Sequence, residues 1–261
     1  MKIKPNANLL IVSRLRMAGI LTLLLTRWTI AGDLQPSTVP TTALTQPAPT
    51  GPRSTQPDGK RYESDDKNGG IYGNMERRIA KLKGPCDLIF IGDSITQGWN
   101  GNVWTEFYGK RTPLNYGIPG DATQNVLFRL NYEGLKTLKP KVAVILIGTN
   151  NTGDPAAEIA AGVKAVINKT LELFPDCKII LLDILPTARK TETVVAANAL
   201  IAQLSDEKKI FRLNLGEKMI KEGDSWKGLG KDRLHLTEEG YRIWAETMEP
   251  LLARLLDEKK P

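Results

Sequence analysis

Beyond Lys60 the chain places short, continuous apolar runs between longer segments whose apolar residues recur every three or four positions. The runs are 88–91, 114–116, 142–147, 179–185 and 210–213, and the periodic segments are 103–108, 123–138, 156–174, 193–208 and 237–256. Runs that do not alternate with polar residues belong to strands buried on both faces, which requires a parallel sheet with helices on each side. Residues 60–261 are therefore expected to form one α/β domain, a three-layer α/β/α sandwich around a five-stranded parallel sheet. Ligands of such sheets bind outside the carboxyl ends of the strands, so the polar residues after each run are where chemistry is expected.

Upstream the pattern changes twice. Lys2, Lys4, Arg14 and Arg16 precede an apolar stretch at 17–25, and the small residues Thr29 and Ala31 follow. This order predicts an export signal over residues 1–31, cleaved after Ala31. An uncleaved anchor is the other reading, although the stretch is less than half of the ~20 residues that span a bilayer. Residues 32–59 follow as a Pro/Ser/Thr-rich segment, with six Pro and eight Ser or Thr between 33 and 58. Such a composition offers little apolar surface to offset the entropy of ordering, so a disordered linker is expected.

The formal charge of +7 does not read as a nucleic-acid surface. Residues 1–58 carry +4 of it, and the rest shows no Lys or Arg stripe interleaved with aromatics. No nucleic-acid partner is expected. One histidine, no cysteine pair at ligand spacing and no alternating carboxylates leave no metal site to expect. No cofactor is expected either, since no Gly-rich phosphate loop is present.

The first run ends in Gly92-Asp93-Ser94, and the second leads into Asn115-Tyr116-Gly117-Ile118-Pro119-Gly120-Asp121. The third leads into Gly148-Thr149-Asn150-Asn151, and Asp232-Arg233-Leu234-His235 stands before the last periodic segment. A serine nucleophile needs a base, imidazole suits neutral pH, and His235 is the only histidine. Asp232, three residues earlier, can orient the ring. Each residue has a plainer reading as well. Ser94 could be a helix N-cap, Gly117 and Gly120 turn glycines, Asn150 a left-handed turn residue and His235 a surface residue. Their occurrence together, in this order, favours a site. Trp99, Trp104 and Tyr108 follow Ser94 and have two readings, core aromatics or a platform for sugar or acyl chains.

These four blocks together resemble the SGNH or GDSL hydrolases over residues 72–256, and within them the branch of the catalytic subunits of platelet-activating factor acetylhydrolase. The resemblance implies a flavodoxin-like strand order and an ester hydrolase with Ser94 as nucleophile, His235 as general base and Asp232 as its orienting partner. It also implies an oxyanion hole made of the backbone N–H groups of Ser94 and Gly120 and the side-chain amide of Asn150. Pro119 departs from the Gly frequent among relatives, removing one N–H and fixing φ. Thr96, two residues after Ser94, separates the motif from the Gly-x-Ser-x-Gly elbow. In the implied strand order another strand lies between those starting near Cys86 and Cys177. Two strand spacings are about 9.5 Å, beyond the ~7 Å reach of a disulfide, so two free thiols are expected.

The resulting expectation is an exported serine esterase acting on short acyl, foremost acetyl, esters of carbohydrate or lipid. A lysophospholipase or thioesterase with the same triad, or a glycan-binding module without activity, are the alternatives. Relatives in the acetylhydrolase branch form dimers, so the resemblance also allows a homodimer.

Overall fold

Five apolar runs pair in parallel to make the centre of the molecule. The computed structural model describes residues 51–63, 69–187, 191–219, 221–222 and 225–257. In chain order the elements are α1 (Gly70–Ala80), β1 (Leu88–Gly92), α2 (Ser94–Gln97), α3 (Gly101–Tyr108), β2 (Pro113–Gly117), α4 (Thr123–Arg129), β3 (Val142–Leu146), α5 (Ala156–Leu173), β4 (Lys178–Leu182), α6 (Thr191–Ile201), β5 (Ile210–Leu213), β6 (Lys221–Glu222), β7 (Ser225–Trp226) and α7 (Glu238–Leu255). The sheet order is β2-β1-β3-β4-β5, the flavodoxin-like arrangement, and β6 and β7 form a separate hairpin.

Alternation of side chains splits the core in two. Ile89, Ile91, Ala143, Ile145, Ile179 and Leu181 face α1, α4, α5 and α6, while Leu88, Phe90, Val142, Val144, Ile180 and Leu182 face α2, α3 and α7. Every residue of β1 and β3 is buried, as their unbroken hydrophobicity predicts. Trp99 and Tyr108 are buried against Phe90 and Trp244, and Trp104 packs on the same cluster. These aromatics are core, and the platform reading is set aside.

The helical segments differ from expectation at three places. α1 was not expected, because the glycines within and before it dilute its apolar face. The 123–138 segment ends as helix at Arg129 and continues as a 3₁₀ turn, Glu133–Thr137, where Gly134 lowers helical propensity. The 193–208 segment ends early as well. Asp206 accepts the N–H groups of Lys208, Lys209 and Ile210, a local alternative to helix.

The expected signal at 1–31 and residues 32–50 of the expected linker lie outside the described residues. Residues 51–59 correct the expectation of disorder. Ser54 is fully buried, its hydroxyl donates to Glu158 O at 2.7 Å, and its own carbonyl accepts from Thr123 Oγ1 at 2.8 Å. Asp58 exchanges backbone bonds with α4, donating to Gln124 O and accepting from Asn125 Nδ2. This strap is ordered by polar bonds to the starts of α4 and α5, which a count of apolar residues does not register.

Among the described residues one charge pair is buried completely. Arg129 donates from Nε to Asp121 Oδ2 at 2.6 Å, from Nη1 to Tyr116 O at 2.9 Å and from Nη2 to Gly92 O at 3.2 Å. Asp121 also accepts from Arg61 Nη1 at 2.8 Å and from the Tyr62 hydroxyl. The two partners are therefore unequal. Arg129→Met leaves Asp121 with two partners, whereas Asp121→Leu leaves a buried guanidinium with carbonyl oxygens alone.

Breaking a buried pair from the side that strands a charge typically costs about 3–5 kcal/mol. Urea denaturation should show a loss of that order for Asp121→Leu and a smaller one for Arg129→Met; equal losses would contradict this asymmetry. The thiols give a second expectation. Cys86 and Cys177 are both buried, with β3 between their strands, and burial pushes the thiols up to about 11 and about 12 respectively. Iodoacetamide at pH 8 should label neither in the native chain and both after unfolding, and intact mass should show two free thiols.

Candidate active site

The site begins where β1 runs out. Gly92 lies where a Cβ would come within 2.1 Å of Thr96 Oγ1 and 2.3 Å of Leu146 O, so the strand can turn this tightly into α2 only with glycine there. Asp93 is the N-cap of α2, its Oδ1 accepting from Ile95 N at 2.9 Å. The capping task thus falls to Asp93, and the Ser94 hydroxyl is left for another partner.

That partner is His235. Its Nε2 lies 2.8 Å from Ser94 Oγ, and its Nδ1 lies 2.6 Å from Asp232 Oδ2. Asp232 Oδ1 accepts the backbone N–H groups of Leu234 and His235, each at 3.1 Å. The bond from His235 and these two N–H groups hold the Asp232 carboxyl down to about 2. An ionised carboxylate only accepts, so Nδ1 carries the ring proton and Nε2 presents a lone pair to the serine O–H. The chain here turns sharply, with Arg233 at φ +54°, and Gly230 N donates to His235 O at 2.7 Å. The Tyr241 hydroxyl joins the two sides of the site, donating from α7 to Ile95 O at 2.8 Å. The side chains of Asp232 and His235 are about half exposed, at 51% and 44%.

Gly120 and Asn150 stand on the loops after β2 and β3. Gly120 has φ +76°, which favours glycine, and the position a Cβ would take lies 3.0 Å from Arg61 Nη2. Pro119 O accepts from Arg61 Nη2 at 2.7 Å, and Asp121 N donates to Ile118 O. Asn150 Nδ2 donates to Asp121 O at 2.9 Å and lies 3.4 Å from Asp93 Oδ2. The longer contact is at the outer limit of a hydrogen bond, so one N–H can be recruited by a developing negative oxygen. Asn151, which follows, accepts from Thr123 N and donates to Thr123 Oγ1, Gln124 Oε1 and Asp154 Oδ2, fixing the loop from below.

Four groups escaped the reading of the sequence. Asp93 is completely buried, and burial raises its carboxyl to about 7. Arg129 shares the buried face of α4 with Val126, three residues earlier, and a charge in that phase was the available signal. Arg61 and Tyr62 reach the Asp121 loop from a segment whose composition gives no hint of it.

A model of the GDSL-like lipase/acylhydrolase family matches residues 90–243. The human platelet-activating factor acetylhydrolase IB subunit alpha2 is 33% identical over 180 residues, covering 66% of this chain and 78% of that protein. Among solved structures, a GDSL-like lipase from Bacteroides thetaiotaomicron superposes with TM-score 0.61 at 22% identity, over 70% of this chain and 98% of that one. The lipase/acylhydrolase from Enterococcus faecalis gives TM-score 0.55 at 19% identity, over 67% and 100% respectively. With its fold, motif blocks and sequence similarity in agreement, the chain belongs to the GDSL-like lipase/acylhydrolase family and is an ester hydrolase.

Proposed function

We propose that this hydrolase is an exported serine esterase, removing short acyl groups, foremost acetyl, through Ser94, His235 and Asp232. The observation that carries the reading is the unbroken line of hydrogen bonds from Asp232 through His235 to Ser94 Oγ. His235 Nε2 takes the serine proton as Oγ attacks the ester carbonyl, and the C=O electron pair moves onto oxygen. The N–H groups of Ser94 and Gly120 and the amide of Asn150 surround that oxygen. The imidazolium, stabilised by Asp232, returns its proton to the departing alkoxide, leaving an acyl-serine and free alcohol. Water activated by the same His235 then releases the acid and restores Ser94.

The acetyl preference draws on the name of the human relative, an acetylhydrolase. Export draws on the charged and apolar pattern of residues 1–31. Among the described residues no helix is long and apolar enough to cross a membrane.

Turnover of p-nitrophenyl acetate, butyrate, octanoate and palmitate by the full chain should be greatest on the shortest esters. Ser94→Ala should lower kcat by at least about 10⁴-fold, and Asn150→Ala by about 10²–10³-fold. Greatest turnover on palmitate would sink the short-acyl reading, and Ser94-independent turnover would sink the triad. A pH effect on stability follows from Asp93. Its carboxyl titrates near 4 when unfolded and at about 7 when buried. Between those values the folded chain holds a proton that the unfolded chain releases, so stability is lost as pH rises from about 4 through about 7. Urea midpoints of Asp93→Asn relative to the parent should rise across that window and level off above it; a flat difference would contradict the burial effect.

A further inference from the structure

A cavity of about 620 Å³ opens beside the candidate oxyanion hole, lined by both Gly120 and Asn150. Its other wall is the strap, which with the turn that follows it runs to residue 62 and supplies Arg53, Asp58, Lys60 and Arg61. The volume is that of a small-molecule site, but such sites are ordinarily lined mainly by apolar side chains. Here Ala122 is the one lining residue with a purely hydrocarbon side chain.

We propose that the strap builds a subsite for a sugar ring, so that the esters this chain hydrolyses are carried by carbohydrate. The inference rests on the esterase reading above and narrows its substrate. A sugar hydroxyl both donates and accepts, and a ring presents several of them at once. The cavity offers the matching set. Arg53 and Lys60 are exposed cations without an ion pair among the described residues. Asp58 and Asp154 are acceptors, each with one oxygen engaged locally, by Lys60 N and by Asn151 Nδ2 respectively. A fatty chain would displace water from all of these groups and return no hydrogen bond, which is unfavourable for each one.

The strap is also fixed to the catalytic loop. Arg61 bonds both Pro119 O and Asp121, so the subsite and the Gly120 rim are held as one unit. Residues 51–62 precede the matched family region, 90–243, so this wall lies outside what the family model describes.

Calorimetric titration of the full-length Ser94→Ala chain with O-acetylated xylotriose, cellotriose and galactotriose reads the subsite without turnover. At least one should bind, and the added pair Arg53→Ala and Lys60→Ala should weaken it by about tenfold or more, as expected for charged hydrogen bonds. In the chain with Ser94 intact, the same pair should lower the ratio of kcat/KM on that sugar acetate to kcat/KM on p-nitrophenyl acetate by a similar factor. Binding of an acetylated lysophospholipid with no binding of any sugar, or sugar binding indifferent to the two substitutions, would overturn the proposal. Absence of Ser94-dependent turnover of p-nitrophenyl acetate would instead overturn the esterase reading. Sugar binding that depends on Arg53 and Lys60 would then still establish the subsite.

Discussion

The buried pair of Arg129 and Asp121 is the constraint on which the site depends. One guanidinium, stacked 4.7 Å from the Tyr116 ring centroid, bonds the end of β1 at Gly92, the end of β2 at Tyr116 and the carboxylate of the loop beyond. Burial of such a pair is weak evidence for net stability, since desolvation offsets much of the attraction. Its effect here is geometric. Its bonds hold the 117–121 loop against the ends of β1 and β2, and Asp121 O receives Asn150 from the loop after β3. Arg129 thus ties two strand ends to the loop, and Asn150 joins the loop after β3 to the same segment.

The other half of the site is held by different means. His235 sits in the turn before α7, half exposed, and its carboxylate partner is fixed by local backbone bonds. Its position relative to Ser94 is set by apolar packing, because α7 and α2 bury Trp244, Met248 and Ile95 against the same face of the sheet. The Tyr241 bond to Ile95 O adds direction to that packing. A buried polar network thus fixes the side of Gly120 and Asn150, and an aromatic core fixes the distance from His235 to Ser94.

This division decides what could be read from the sequence. Strands were legible because buried parallel strands leave continuous apolar runs, and the four motif blocks because three of them stand at the ends of those runs. α1 was not, since Gly69, Gly70 and Gly73 blur its period, and α4 was read too long because Leu130 and Leu135 keep the apolar phase beyond its end. The strap was read as disordered because its order rests on Ser54 and Asp58 bonding to backbone and amide groups far along the chain. Composition reports apolar burial well and long-range polar pairing poorly.

The local choice between Asp93 and Ser94 shows how closely these levels are coupled. Both residues are good N-caps, and a helix start needs an acceptor for its free N–H groups. Were Ser94 to cap α2, its hydroxyl would turn back on its own helix and away from His235. With Asp93 in that place the serine begins the helix with its oxygen outward, and the cap is a carboxylate withdrawn from water. The raised titration of Asp93 is the consequence of that burial, which disfavours the charged carboxylate. Its second oxygen, 3.4 Å from Asn150 Nδ2, faces the same amide that Asp121 O holds. The residue that leaves the Ser94 hydroxyl free of the cap therefore also borders the Asn150 amide.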